Sequence, residues 1–399
     1  MLFLSAIATA SSSVRETAPG CSIATPDRTS GLTTALAFAS LNWDVSIHEA
    51  AQELRPVGKG IWVPCNAMQV FAALGLAERI SSAGCPLRSI ELQTTAGTPI
   101  SSMKSEQLIA RYGHTVVSIH RAKLVEILAS ALKPGVLHLG SQFTHFVQKQ
   151  NQVHAYFENG SEVTADLLVG ADGIHSRVRE QMFPGVPLRY SGQTCFRGIS
   201  EIALPGHLAH TCKEIWGGKN RFGFSPVSPS QVYWFAPQLS PPGVDELPDA
   251  RRRLLLDAYR TFPSPVPDIL AATRIEDTIR TDLYDFAPIA RWSENNVALL
   301  GDAAHAMTPN LGQGGAQAVE DAHALARQFQ QTASIAEALK NYERIRIPKA
   351  SSIVKASRTL GQIAHWRNPL AQWARDAAIR WTPQSIQQKQ LDNLYRIGD

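Results

Sequence analysis

The stretch from 296 to 331 constrains this chain more tightly than any other. Asn296 to Leu300 (NVALL) is an apolar run that reads as a buried strand. It is followed by Gly301-Asp302-Ala303-Ala304-His305-Ala306-Met307-Thr308-Pro309-Asn310-Leu311-Gly312-Gln313-Gly314-Gly315-Ala316, where Pro309 and the closing glycines mark a turn. The pattern then becomes helical, with Val319, Ala322, Ala326 and Phe329 on one face. A strand, a glycine-rich turn and a helix N-terminus together make a site for negative charge. The unpaired N–H groups of the first helical turn and the helix dipole both point into the turn. Asp302, at the strand end, is placed to accept hydroxyl hydrogen bonds from a sugar-like chain.

With 399 residues, 44% hydrophobic and 18% charged, the chain can bury a large core in two to three structural units. A net charge of +4 carries no nucleic-acid signature. Nine Lys or Arg residues against two acids lie between Lys340 and Arg380. They read as solvated faces of surface helices, or as weak steering of an anionic substrate or a pyridine nucleotide. The five cysteines are odd in number and lack metal-type spacing, which points to reduced thiols in a cytoplasmic protein. No apolar run reaches the roughly 18 residues a bilayer requires, so no stable membrane association is expected. The apolar start MLFLSAIATA resembles a signal peptide but lacks a basic n-region, the first Arg being Arg15. Oligomeric state is not legible.

Residues 11–30 read as loop, and Gly31 to Ala39 as a helix with Leu32, Ala35, Leu36 and Ala39 on one face. Asp44 to Glu49 alternates as a strand, and SIH before Arg121 is a strand preceding a helix over Leu124 to Leu132. Asn159-Gly160 marks a hairpin, and Asp166 to Gly170 an apolar strand. From Tyr190 to Phe286 the segments CFRGIS, RFGFSPV and QVYWFAP predict a separate antiparallel sheet. The tail from Ile335 is expected to be helical, interrupted by Pro348, Pro369 and Pro383.

The 301–316 stretch resembles the second flavin motif, GD…P…G…G, of the single-component FAD-dependent aromatic monooxygenases, a superfamily that includes salicylate and urate hydroxylases and zeaxanthin epoxidase. Leu167 to Arg179 is similar to the DGxxSxxR motif of the same family, with Asp172, Gly173, Ser176 and Arg179 matching. In that family it lies near flavin and nicotinamide. Arg121 matches an arginine lying against the FAD pyrophosphate, where a guanidinium pairs two phosphate oxygens. The segment ELRPVGKGIWVPCNAMQV resembles the family's stretch beside the flavin ring: Gly58 and Gly60 allow close backbone approach, and Trp62, like Trp234, is a candidate wall for flavin or substrate. Arg221 and Tyr233 match positions that contact substrate in bacterial urate hydroxylases. His305 reads as a packing and hydrogen-bonding histidine.

One motif departs from the family. A GxGxxG fingerprint should precede an acid by about 20 residues. Glu49, followed by Ala50, is that acid by position, and counting back puts the glycine positions on Pro26, Arg28 and Gly31, of which only Gly31 matches. Pro26 removes an N–H and Arg28 adds bulk where backbone should approach pyrophosphate. Four explanations stand: weak FAD binding, a side-chain contact from Arg28, a mis-assigned start over residues 1–30, or LFLSAIA as the first strand with a loop inserted before Gly31.

The resemblance implies an α/β fold: a Rossmann-like FAD-binding domain (1–185 and 289–335) with an antiparallel-sheet substrate domain (186–288) and C-terminal helices (336–399). The FAD contacts it implies are Gly31, Glu49, Ala50, Trp62, Arg121, Asp172, Asp302, Gly312, Gln313, Gly314, Gly315 and Ala316. It implies a hydroxylase or epoxidase in which NAD(P)H reduces the flavin, O2 adds at its C4a carbon, and one oxygen passes to a small electron-rich substrate. No protein nucleophile is needed and no catalytic residue is assigned. A non-oxygenating flavin oxidoreductase and a degenerate flavoprotein acting as a binding protein are the alternatives.

Overall fold

The computed structural model describes residues 2–5, 19–25, 28–54, 59–244 and 246–398. Pro26 and Gly58 lie outside them, and of Arg28 only the backbone is described. The strand β1 (Gly20–Thr25) leads to helix α1 (Arg28–Ala39) and on to β2 (Asp44–Glu49), which lies parallel to β1. This is the opening of a parallel α/β unit, because parallel neighbours require a crossover. The Leu2–Ser5 segment runs antiparallel to both strands, so GCSIAT and not LFLSAIA is the strand that feeds α1. Helix α1 starts three residues earlier than its apolar pattern indicates.

Next come β3 (Gly60–Val63), α2 (Cys65–Ala73), the hairpin β4 (Ser89–Thr94) and β5 (Pro99–Lys104), β6 (Val117–His120) and α3 (Arg121–Ser130). The apolar run before the Asp-Gly turn forms β7 (Leu167–Gly170), which precedes α4 (Arg177–Met182). The middle of the chain supplies β8 (Arg189–Ser200), β9 (Thr211–Gly217), β10 (Asn220–Ser228), β11 (Gln231–Leu239), α5 (Pro248–Tyr259), α6 (Val266–Ala271) and β12 (Ile279–Asp285). Then the first pattern returns: β13 (Val297–Leu299) lies parallel to β7, and α7 (Gly314–Gln331) follows it. Val319, Ala322 and Ala326 are buried, as the helical periodicity requires.

The middle sheet has seven strands in the order β12-β8-β11-β10-β9-β4-β5. Two of its strands come from residues 89–104, whose polar composition (SIELQT, PISSMK) hides them. Its two faces differ. Phe196, Ile215, Phe222, Phe224 and Trp234 form one apolar face, buried under α5 and α6 with Leu255, Tyr259 and Ile269. Trp234 donates to Thr273 Oγ1 at 2.9 Å on this side, so it is a core residue and walls no ligand. Alternate residues of the same strands point the other way, toward the β3–β6 strands.

The C-terminal helices are α8 (Ile335–Ala364), α9 (Pro369–Arg380) and α10 (Gln384–Tyr395). Pro369 starts α9 and Pro383 precedes α10, but Pro348 lies inside α8 without ending it. Interior proline costs about 3 kcal/mol; here burial of Leu339, Tyr342, Arg346, Ala350, Ile353 and Val354 outweighs that cost. Among the described residues no helix is long and apolar enough to cross a membrane.

Candidate active site

The 301–316 turn is held open by its glycines. Gly301 has φ +60° and a Cβ on it would lie 3.0 Å from the Ala318 methyl carbon. Gly312 adopts the left-handed conformation at φ +63°, and its face abuts the Trp62 ring, 3.4 Å from where a Cβ would stand. Helix α7 then begins at Gly314 with no side chain capping it. Its first N–H groups are thus presented to the turn, the arrangement that receives anionic or electron-rich groups. Asp302 Oδ1 stands 3.9 Å from a Cβ built on Gly314, so the strand-end carboxylate and the helix start share one concavity. Ala316 is buried in it. Gly315 faces Ile61 of β3, with 3.7 Å to a built Cβ.

A buried charged network locks this turn from behind. Arg346 of α8 pairs with both Glu320 and Asp321 of α7, reaching Asp321 Oδ1 at 2.7 Å. Lys349 adds a second cation to Glu320 at 2.7 Å. The other oxygen of Asp321 accepts from the Gly301 N–H at 2.9 Å and from His305 Nε2 at 2.5 Å. Burial by itself would raise the Asp321 pKa, but His305 and Arg346 outweigh it and hold the carboxylate at about 2. Glu320 Oε2 accepts from Asn66 of α2 at 3.2 Å, and Asn66 also donates to Gln313 Oε1 at 3.1 Å. His305 is accordingly a structural histidine. Neither Arg346 nor Lys349 was singled out from sequence, and Asn66 was read only as the start of a helix; the signal was present only as the two adjacent acids, Glu320 and Asp321, on the buried side of α7.

The second face of the middle sheet closes over the turn. Trp62 Nε1 donates to Ser225 Oγ at 2.9 Å, and Ser225 Oγ lies 2.8 Å from Ser118 Oγ. Tyr233 rests directly on Gly60: a Cβ there would sit 2.2 Å from its Cγ. Gly60 therefore admits a close approach, made by Tyr233. Burial pushes the Tyr233 hydroxyl up to about 12, with Arg197 and Arg121 opposing. Arg197 lies two residues from Ile199, the pair of Tyr233 across β8 and β11, and so shares its face. No carboxylate pairs with Arg197 among the described residues, and burial acts to lower its pKa, although Cys195 and Tyr233 beside it raise it overall. Sequence reading placed it only within a strand. Arg221, in contrast, is buried and committed: it pairs with Glu214 at 2.5 Å and donates to Asn310 Oδ1 at 2.7 Å. It ties the middle sheet to the turn ahead of Gly312 through a buried ion pair.

The remaining candidates flank this centre. Asp172 is buried, hydrogen-bonded to the Ser176 hydroxyl and accepting from the Val178 N–H at 3.0 Å, so it braces the start of α4; burial raises its pKa. Arg179 of α4 donates to the Ala303 carbonyl at 3.1 Å, joining the Asp-Gly turn to the 301–316 turn. Arg121 begins α3, its N–H donating to the Lys59 carbonyl at 2.9 Å. At the end of β2, Glu49 is buried and accepts from the Ala51 N–H at 3.0 Å, while Ala50 is exposed. Gly31 is buried in the first turn of α1, and the preceding Ser30 lies 3.7 Å from a Cβ built on Gly301, so the N-terminal helix and the 301–316 turn adjoin. Two buried polar atoms at the turn, Gln313 Nε2 and Asn66 Oδ1, have no partner. An uncapped helix start, a left-handed glycine, a strand-end carboxylate and orphaned amide atoms fit the polar edge of a flavin.

The comparisons with known proteins agree with this geometry. The model of the FAD binding domain family matches residues 29–357. The chain is 37% identical over 350 residues to the aurachin C monooxygenase/isomerase of Stigmatella aurantiaca, covering 88% of this chain and 91% of that protein. It is 32% identical over 343 residues to the FAD-dependent urate hydroxylase of Klebsiella pneumoniae, covering 85% and 88%. The crystal structure of Klebsiella pneumoniae HpxO complexed with FAD and uric acid superposes with a TM-score of 0.85 at 28% identity, over 94% of this chain and 96% of that one. These relatives support neither a non-catalytic binding protein nor a non-oxygenating oxidoreductase. The chain belongs to the FAD binding domain family, as one of its FAD-dependent monooxygenases.

Proposed function

We propose that the chain oxygenates a planar, acidic aromatic or heteroaromatic ring, held between the 301–316 turn and the middle sheet. The observation that carries this reading is Arg197: a guanidinium beside Tyr233, with no carboxylate paired to it among the described residues, on the sheet face that closes over the turn. An uncompensated cation at the edge of a partly dry site favours an anionic guest. Tyr233, kept protonated at neutral pH, donates to a ring oxygen and orients the ring. Arg221, fixed by Glu214 and Asn310, is the second substrate-side residue; it sets the spacing between sheet and turn. Uric acid, bound by the Klebsiella neighbour, is a ring of this class.

FAD supplies the redox chemistry when bound, taking electrons from NAD(P)H and activating O2. In this reading Asp302 and the Gly312, Gln313, Gly314, Gly315 and Ala316 backbone hold the flavin side, with Trp62 and Asp172 near the ring. Gly31, Glu49, Ala50 and Arg121 hold the ADP side. The FAD-binding unit spans 1–185 and 289–335, the substrate sheet 186–288 together with the 89–104 hairpin, and the C-terminal helices 336–399. A cytoplasmic setting is supported by five free, buried thiols.

The test is a panel of anionic rings (urate, salicylate) and neutral analogues, followed by substrate-stimulated NAD(P)H oxidation and product mass. Acidic rings should stimulate and gain one oxygen, and Arg197→Ala should raise their KM by about tenfold or more, with FAD content unchanged. Equal stimulation by neutral analogues, or an Arg197→Ala variant with unaltered KM, overturns the assignment.

A further inference from the structure

Helix α9 (Pro369–Arg380) carries two unlike sides. One is anchored: Arg375 and Asp376 are buried and paired at 2.7 Å, Arg375 lies 4.7 Å over the Trp216 ring, and Ile379 packs on the same cluster. Asn368 caps the helix start by accepting from the Leu370 and Ala371 N–H groups. The other side is an apolar stripe in water. Leu370, Trp373, Ala374, Ala378 and Trp381 follow helical spacing, and Leu370, Trp373 and Trp381 are 78%, 67% and 71% exposed. Trp366, just ahead of the helix, and Ile386, just after it, extend the patch. Among the described residues these are all the exposed tryptophans. A firmly seated helix that leaves three indoles outside has an unmet partner.

The unpaired charges on α9 and just ahead of it have one sign. Arg367 and Arg380 are exposed at its two ends, and the one carboxylate on α9, Asp376, is already paired on the buried side. We infer that this stripe docks the protein on an anionic lipid surface, the indoles entering the headgroup layer and Arg367 and Arg380 meeting lipid phosphates. Tryptophan has the chemistry for that layer, an apolar body with one N–H donor, and cations add attraction to acidic lipids. A second copy of the chain is the poorer fit. A two-fold interface would set each stripe against itself and bring its arginines near each other with no acid between them. Such attachment is peripheral and lies beyond the expectation of no stable membrane association; it does not depend on the substrate reading.

The experiment is co-sedimentation of the full chain with phosphatidylcholine–phosphatidylglycerol vesicles and with phosphatidylcholine alone. The protein should partition to the mixed vesicles about tenfold more strongly than to the neutral ones, and the Leu370→Ser/Trp373→Ser variant should lose about tenfold of that binding at unchanged FAD content. Tryptophan quenching by bromolipid in the unmodified protein gives the same reading without a variant. Protein left in the supernatant of both vesicle types overturns the inference. So does a concentration-dependent dimer that the same variant dissolves while vesicles stay bare, which would assign the stripe to a second copy.

Discussion

The two sides of the FAD cradle are built by different means. On the flavin side, the turn from 301 to 316 is backed by two carboxylates, two cations and an imidazole, bonded to one another across α7 and α8 and all buried but Lys349, which is partly buried. On the adenine side, α1 meets the turn through small residues: Ser30 approaches Gly301, and Gly31 alone keeps its fingerprint position. A charged network fixes geometry strongly but fails sharply when one member is removed, since the remaining charges stay buried with fewer partners. Backbone approach through glycine is cheap to alter one residue at a time. This contrast explains how a chain can lose two fingerprint glycines and still keep the family fold.

The largest effect should come from breaking the network. Arg346→Ala removes the cation shared by Glu320 and Asp321, leaving Lys349 and His305 as their remaining charged partners, and is expected to lower unfolding free energy by about 3 kcal/mol. Urea melts measure it, and a loss under about 1 kcal/mol would show that the flavin side is no more rigid than the other. Next is Asp302→Ala, which removes a charge-assisted hydrogen bond of about 1.5–3 kcal/mol and should weaken FAD by roughly tenfold or more. Unchanged affinity in the folded variant removes Asp302 from the cradle. On the adenine side, Pro26→Gly with Arg28→Gly should tighten FAD by about 1–3 kcal/mol as backbone N–H groups regain the pyrophosphate. Fluorescence titration decides it; weaker binding in the variant would mean that Arg28 itself holds phosphate. The smallest effect is acid sensitivity. Asp321 is held at about 2, below its ordinary value of 3.8, so its stabilisation is complete above 3.8 and is lost as pH falls through 2. At pH 3 the loss is about 1 kcal/mol, and the Tm gap between the unmodified protein and Arg346→Ala should narrow as pH falls from 4 toward 2.

Much of the architecture was legible because it is local. The Asp44–Glu49 strand, the Asn159-Gly160 hairpin and α7 follow from residue alternation, turn chemistry and helical spacing. The misses are equally physical. The β4–β5 hairpin has a polar sequence and earns its place by edge pairing with β9, which no local pattern announces. Pro348 reads as a helix break and is overridden by burial along α8. Trp62 and Trp234 look alike as aromatic candidates, yet one bridges the turn and the sheet while the other lies in the core beneath that sheet.

By itself, the sequence determined the α/β class and the glycine-rich turn before α7, because a strand, a turn and a helix start are set by neighbours along the chain; the reaction class came from the resemblance of its motifs to a known family. Only the tertiary structure decided which charges meet. Arg346 finds Asp321 across 25 residues, Arg221 finds Asn310 across 89, and Arg197 pairs with no acid among the described residues. Pairing and burial depend on what the fold brings within a few ångströms, and that distance is not written in residue spacing.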